Sequence, residues 1–277
     1  MEYFLLNINR NGVNKVDEWI KERGIAPIFY GKSTINKIIK NPKDFPRDAS
    51  LFINTFLKLN DNVILFSIGN SKLYIYKQKN VINEYNEYNK IVEGDIVKGI
   101  KIEIMKEIEI KKCPLILITI KSNRYMSSGA FRKLNPSSES NSYFGNILSI
   151  QYLLSNEKKK VKTFMGYLYC LSSLEFETLI AKMFEEKGYF VPAYKGGFIK
   201  NYDLFCTKNS ETISIQIKLE MEEKYYNELT DYYYCINNNL ISIDNIKNWK
   251  SIKNELEKCP NTEEWLKKTL YWVTYEE

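Results

Sequence analysis

The stretch from Ser172 to Leu219 restricts the fold more than any other part of the chain, because it specifies one helix and two strands in succession. Ser172 followed by Glu175 has the form of a capping box, and Gly188 marks a helix end. Between them Leu174, Phe176, Leu179, Ile180, Met183 and Phe184 gather on one broad face, with Glu177 at its margin in line with Phe184. After the glycine-containing loop "KGGFIKNY" come two runs of strand length, "YDLFCTK" and "TISIQIKL". In the second, side chains alternate with period two, so Ile213, Ile215 and Ile217 share one face and Ser214, Gln216 and Lys218 the other. If the two runs pair as a hairpin, Asp203 at the start of the first faces the end of the second. That closes a site from Asp203, Gln216 and Lys218. A lysine held in a core needs an anionic partner or a chemical task.

The remaining pattern divides the chain in two. Residues 1–156 alternate short helices and strands: a helix capped by Asn14 and closed by Gly24, a strand in "IAPIFYG", helices in "STINKIIKN" and "RDASLFINTFLKLN", then strands in "DNVILFSIG", "SKLYIYKQ", "VKGIKIEIMKEIEI" and "CPLILITIKS". This predicts a small, mostly antiparallel sheet or barrel decorated with helices. "RYMSSGAFRKLNPSSESNS" reads as a loop, "YFGNILSIQYLLSN" as a helix, and the lysine run in "EKKKVK" as a solvated linker at the domain boundary. In residues 157–277 "YFVPAY" adds a strand, and "SIDNIKNWKSIKNELEK" and "NTEEWLKKTLYWV" return to helix, which predicts an α/β core with its sheet covered on both faces.

Composition narrows the chemistry. The chain of 277 residues has no histidine, which removes Ser-His and Cys-His nucleophile pairs, histidine general bases and His-ligated zinc. Carboxylates, lysine or a hard metal must serve instead. Cys113, Cys170, Cys206, Cys235 and Cys259 are scattered without a C-x-x-C pair, as reduced intracellular thiols are. No signal-like segment opens the chain and no apolar run approaches the roughly 18 residues of a membrane span, so a cytoplasmic protein without a membrane partner is expected. Residues 1–156 carry 23 Lys+Arg against 15 Asp+Glu, a balance of +8, whereas residues 157–277 carry 17 against 19, a balance of −2. A polyanion docking on the first part, or solubility alone, accounts for that asymmetry.

The order "FETLIAKMFEEKGYFV", Gly-rich loop, "YDLFC", "ISIQIK" resembles the Mrr-type branch of the PD-(D/E)xK nuclease superfamily over residues 172 to 219, with a weaker echo in "CPNTEEWLKKTLYWV". The resemblance implies a restriction-endonuclease-like α/β fold for residues 157–277 and a catalytic set of Glu177, Asp203, Gln216 and Lys218. Asp203 and Gln216 would hold Mg²⁺, or Mn²⁺ in its place, a hard cation that takes oxygen ligands and keeps several waters. Lys218 would orient or deprotonate the attacking water, or neutralise developing charge. The chain departs from the family in "GGFIKNYD", which lacks the additional acid usually found in a Gly-Asp-Gly-Gly-like turn.

The first part, in "YFLLNINRNG", "WIKERGIAPIFYGKS", "FINTFLKLNDNVILFSIGNSKLYIYKQ" and "RYMSSGAFRKL", is similar to the PUA-like EVE and YTH-related sensor modules fused ahead of such nucleases. The likeness implies an α+β PUA-like barrel that binds a modified base extruded into an aromatic pocket. Trp19, Phe29, Tyr30 and Ser33 are the candidates for that pocket, Tyr30 foremost because it precedes Gly31 at a strand end. Arg124, Tyr125, Arg132 and Lys133 are candidates for phosphate contact or intercalation. The expected function is a modification-dependent DNA endonuclease, acting on double-stranded, base-modified DNA as a homodimer that cuts both strands. Two rivals stand beside it: a nuclease fold that binds DNA or RNA without catalysis, and a defence nuclease switched on by a small nucleotide.

Overall fold

The computed structural model describes residues 1–10, 13–88, 92, 94–122, 130–134, 139, 143–193, 202–238 and 243–276. It is a mixed α/β structure with two compact units, Met1–Cys113 with Ile118–Asn135, and Pro114–Leu117 with Pro136–Glu277. The division falls at residue 135, ahead of the expected boundary after 156, because the helix Phe144–Ser155 belongs to the second unit.

Among the described residues of the first unit, seven strands form one curled half-barrel sheet. The strands are β1 (Glu2–Leu6), β2 (Ile25–Phe29), β3 (Val63–Ile68), β4 (Lys72–Gln78), β5 (Val97–Glu109) and β6 (Phe131–Leu134), with Asn83–Glu84 as the seventh. Their order is β2-β5-β4-β3-β1-β6, antiparallel except for the parallel pair β1/β3. The first half of β5 pairs with β2 and its second half with β4, so this one long strand carries the curl. Gly99 lets β2 come close, since a Cβ there would stand 2.7 Å from the Ala26 carbonyl oxygen. Helices α1 (Ile35–Lys40) and α2 (Arg47–Phe56) follow the pattern in the sequence. Phe52 and Phe56 of α2 close on Phe131, which stacks on Phe4 at 4.7 Å.

Three expectations for the N-terminal part change. The segment after Asn14 is a π-helical turn, Asp17–Glu22, and Asn14 spends its side chain on the Ile68 carbonyl and the Val16 amide instead of capping a regular helix. "CPLILITIKS" is helical over Leu115–Ile118 and Thr119–Ser122, since a continuous apolar run has no strand period and Pro114 suits a helix start. Arg132 and Lys133 lie on β6 and not in a loop. Their polar surroundings hid a four-residue strand that the Phe131 anchor holds against β1.

In the second unit, α3 (Phe144–Ser155), β7 (Lys159–Val161), α4 (Phe164–Leu168) and α5 (Ser173–Glu186) precede a mixed sheet. Its strands β8 (Leu204–Lys208), β9 (Glu211–Met221), β10 (Tyr232–Asn238) and β11 (Ile246–Lys247) lie in that order, β8/β9 antiparallel and the rest parallel. Helices α6 (Trp249–Leu256) and α7 (Pro260–Thr269) lead to β12 (Val273–Tyr275). The lysine run is not a free linker: β7 pairs in parallel with β12. Among its described residues "YFVPAY" makes an isolated bridge, Phe190 to Thr207, and no longer strand, and Leu174 is exposed in the first turn of α5. The rest of the α5 apolar face joins Ile213, Ile215 and Ile217 of β9 and Ile252, Leu256 and Leu266 of α6 and α7 in one core. The other face of β9 turns toward Tyr233 and Cys235 of β10, beside a smaller cluster with Met221 and Ile246.

Candidate functional site

Local rules assemble the site. Ser172 accepts the Glu175 amide at 3.2 Å while the Glu175 carboxylate accepts the Ser172 amide at 2.8 Å, so α5 starts where the capping box predicts. Burial pushes the Glu175 carboxyl pKa up, against the pull of the Ser172 hydrogen bonds. β8 and β9 form the expected hairpin across Asn209 and Ser210, both with positive φ, 51° and 69°, as a type I′ turn requires. This register puts Asp203 opposite Gln216, one step beyond the Leu204–Ile215 pair.

Asp203 brackets Gln216. Its amide donates to the Ile215 carbonyl at 2.9 Å, and its Oδ2 accepts the Ile217 amide at 2.7 Å. The same Oδ2 receives Lys218 Nζ at 2.9 Å, and Nζ also donates to the Ile217 carbonyl at 3.0 Å. The Lys218 and Asp203 side chains are only 27% and 17% exposed, so the ammonium is drawn back along the strand and not extended into water. Gln216 is 6% exposed, and its Oε1 is buried without a hydrogen-bond partner. A buried orphan acceptor costs about 1–3 kcal/mol. Its presence beside the ion pair marks a position where a ligand can restore the missing contact.

Asp203, Gln216 and Lys218 are therefore brought together. Glu177 is half-buried on α5, the helix packed on β9. Two neighbours escaped the sequence reading. Glu220 follows two residues after Lys218 on β9, in register with Asn237. Its carboxylate acts on the buried Tyr169 hydroxyl, whose pKa is raised first by burial. Asp231 accepts the Ser214 amide and hydroxyl, both at 2.7 Å, and those bonds hold its carboxyl below the usual range. Closeness to Lys218 in the sequence could have found Glu220, but Asp231 depends on the parallel pairing of β9 and β10, which local sequence does not announce.

Asp203 and Gln216 fit a hard divalent cation by donor type, since carboxylate and amide oxygens are what Mg²⁺ takes, with water filling the other positions. The unsatisfied Gln216 Oε1 supports that fit. The set is lean: among the described residues no group of three or more His, Cys, Asp or Glu is placed to hold a metal. A groove of about 500 Å³ floored by Phe164, Tyr167, Leu256 and Leu266 lies elsewhere on the second unit and does not include the three residues.

In the first unit the nominated pocket residues separate by burial. Trp19 is 2% exposed and belongs to the core, with Phe29 and Tyr88 edge-on to it at 5.5 and 5.4 Å and the Arg23 guanidinium 5.0 Å from its ring. Its faces are taken, so it offers no stacking surface. Phe29, Tyr30 and Ser33 are half-buried. The Tyr30 hydroxyl is buried, and burial, then the nearby Asp48 carboxylate, raise its pKa. Beneath this loop lies Lys98, fully buried, donating to the Ile96 carbonyl at 2.6 Å and reaching the Gly31 carbonyl at 3.5 Å. Lys133 is paired with Glu2 and lies 5.8 Å from the Phe4 ring, while Arg132 is half-buried beside it on β6. Arg124 and Tyr125 lie outside the described residues, as does the Gly-rich loop before Tyr202.

No helix among the described residues is long and apolar enough to cross a membrane. Comparison with family models, curated proteins and solved structures finds no match to this chain.

Proposed function

We propose that the chain is a Mg²⁺-dependent endonuclease of the Mrr-like PD-(D/E)xK type, preceded by a PUA-like reader of a modified base. The observation that carries the reading is the Asp203 carboxylate joined to Lys218 at 2.9 Å beside the buried, unpartnered Gln216 Oε1. Asp203 and Gln216 would hold the cation, which when bound polarises the phosphate and acidifies its water. Lys218 then directs its ammonium at the charge that develops on the phosphate or, as the neutral amine, takes the proton of the attacking water. Glu177, on the helix behind the sheet, completes the set by resemblance. The half-buried Phe29, Tyr30 and Ser33 remain the reader candidates, and the basic balance of residues 1–156 suits a duplex as substrate. Two copies would cut the two strands.

The test is digestion of DNA panels carrying methylated, hydroxymethylated, glucosylated or unmodified bases with Mg²⁺, read on gels. Cutting of one modified panel, lost in Lys218→Ala, is the expected result; equal cutting of all panels removes the reader, and cutting of none removes the nuclease. The lean carboxylate set favours one second reading, a nuclease fold that binds nucleic acid without catalysis. Retention of DNA with no cleavage in any metal is its signature.

A further inference from the structure

We propose that the Asp203–Lys218 ion pair is a latch on the cation position: the ammonium neutralises the carboxylate that a divalent ion needs, so the pair and the ion compete. The inference rests on the nuclease reading above and assigns the same site a means of control.

The geometry is specific. Asp203 Oδ2 already accepts two donors, the Ile217 amide at 2.7 Å and Lys218 Nζ at 2.9 Å. A carboxylate oxygen has about two lone-pair directions, so Oδ2 is full and a cation would have to use Oδ1 of the same carboxylate. The amide belongs to the sheet and stays. The ammonium is the movable partner, tethered only by its second bond, to the Ile217 carbonyl at 3.0 Å. A cation arriving at this carboxylate meets a positive charge within hydrogen-bond distance of its ligand, in a pair mostly withdrawn from water. Either the ammonium leaves or the cation binds more weakly.

The consequence couples occupancy to catalysis. Without the ion, Lys218 lies folded onto Asp203 and the carboxylate is neutralised. An ammonium released from the carboxylate would stay on the same strand face as Gln216, free to meet an anionic substrate. Binding the ion thus sets the lysine free for the substrate.

The experiment measures ion binding to the full chain, without nucleic acid, by the EPR signal of free Mn²⁺ at one pH. Lys218→Met keeps the stem and removes the charge, Lys218→Gln removes the charge and keeps a donor for the Ile217 carbonyl, and Lys218→Arg keeps the charge. The latch predicts that Met and Gln variants bind Mn²⁺ more tightly than wild type, on the order of tenfold, that Arg binds like wild type, and that Asp203→Asn binds none. Circular dichroism checks folding of each, and either neutral variant suffices if the other fails. Equal affinity of wild type, Met and Gln variants overturns the latch and leaves the nuclease reading intact, which the Mg²⁺ digestion tests separately. Absence of Mn²⁺ binding in every protein overturns both.

Discussion

Lys98 is an ammonium withdrawn from the surface, and it supports the loop that the reader candidates occupy. It is 0% exposed, and burial lowers its pKa to about 8 against the partly opposing pull of Glu84 and Asp95. Because the folded value lies below the unfolded one, protonation costs stability at every pH below about 8 and the cost fades as pH rises toward the unfolded value of 10.5. Replacing a buried charge by an apolar chain of similar volume is neutral to stabilising. Lys98→Met is therefore expected to raise unfolding free energy by roughly 1–3 kcal/mol at pH 7, and urea titrations should show that gain shrinking by pH 9.5. A gain independent of pH would mean that the ammonium is not the cause. The same side chain is expected to loosen the Gly31 turn when removed, so the variant should bind a cognate base more weakly although it is more stable. Gln216 obeys the complementary rule. Removing an unpartnered buried acceptor is nearly neutral or favourable. Gln216→Leu should leave stability within about 1 kcal/mol of wild type or raise it, while any Mg²⁺-dependent cleavage falls. A stability loss of several kcal/mol would instead make Gln216 a packing residue.

At the scale of elements, the β8–β9 hairpin decides whether Asp203 meets Lys218 at all. Its two-residue turn places a serine, Ser210, at φ 69°, where a side chain costs about 1 kcal/mol and glycine almost nothing. Ser210→Gly should raise the thermal midpoint, with a gain of roughly 0.5–1 kcal/mol, and leave the Asp203–Lys218 pair and its Mn²⁺ affinity unchanged. A lower midpoint would show that the Ser210 side chain makes a contact worth more than the strain. This hairpin was legible because strict alternation of Ile213, Ile215 and Ile217 admits only one register in which the isoleucines are buried. The capped helix α5 was legible for a similar reason, since its cap and its apolar face are both local signals. Elements fixed by distant partners were not. β7 exists through pairing with β12, more than 100 residues later, and β6 through Phe131 stacking on Phe4. β10, with its run Tyr232–Tyr233–Tyr234, shows no alternation because both its faces are covered. The burial of Trp19 and Lys98 lies beyond local pattern too, since an aromatic or a lysine in an amphipathic stretch reads the same inside and out.

At the scale of the molecule, the question is whether the charge asymmetry serves a polyanion or only solubility, and salt separates the two. A protein that neutralises Z phosphates loses affinity with a log–log slope of about −0.9Z. A chain of net charge +6 whose excess lies in residues 1–156 should engage on the order of four to six phosphates. Fluorescence anisotropy with a duplex in EDTA, where binding proceeds without cutting, should then show affinity falling roughly 10²–10³-fold from 50 to 200 mM salt. β6 offers a specific check. Lys133 is already neutralised by Glu2. Lys133→Gln should therefore reduce the slope by much less than 1. A reduction of about 1 would mean that the Lys133–Glu2 pair opens on binding. A slope near zero for the wild-type chain would assign the positive excess to solubility and leave the reader half of the proposed function without its electrostatic support.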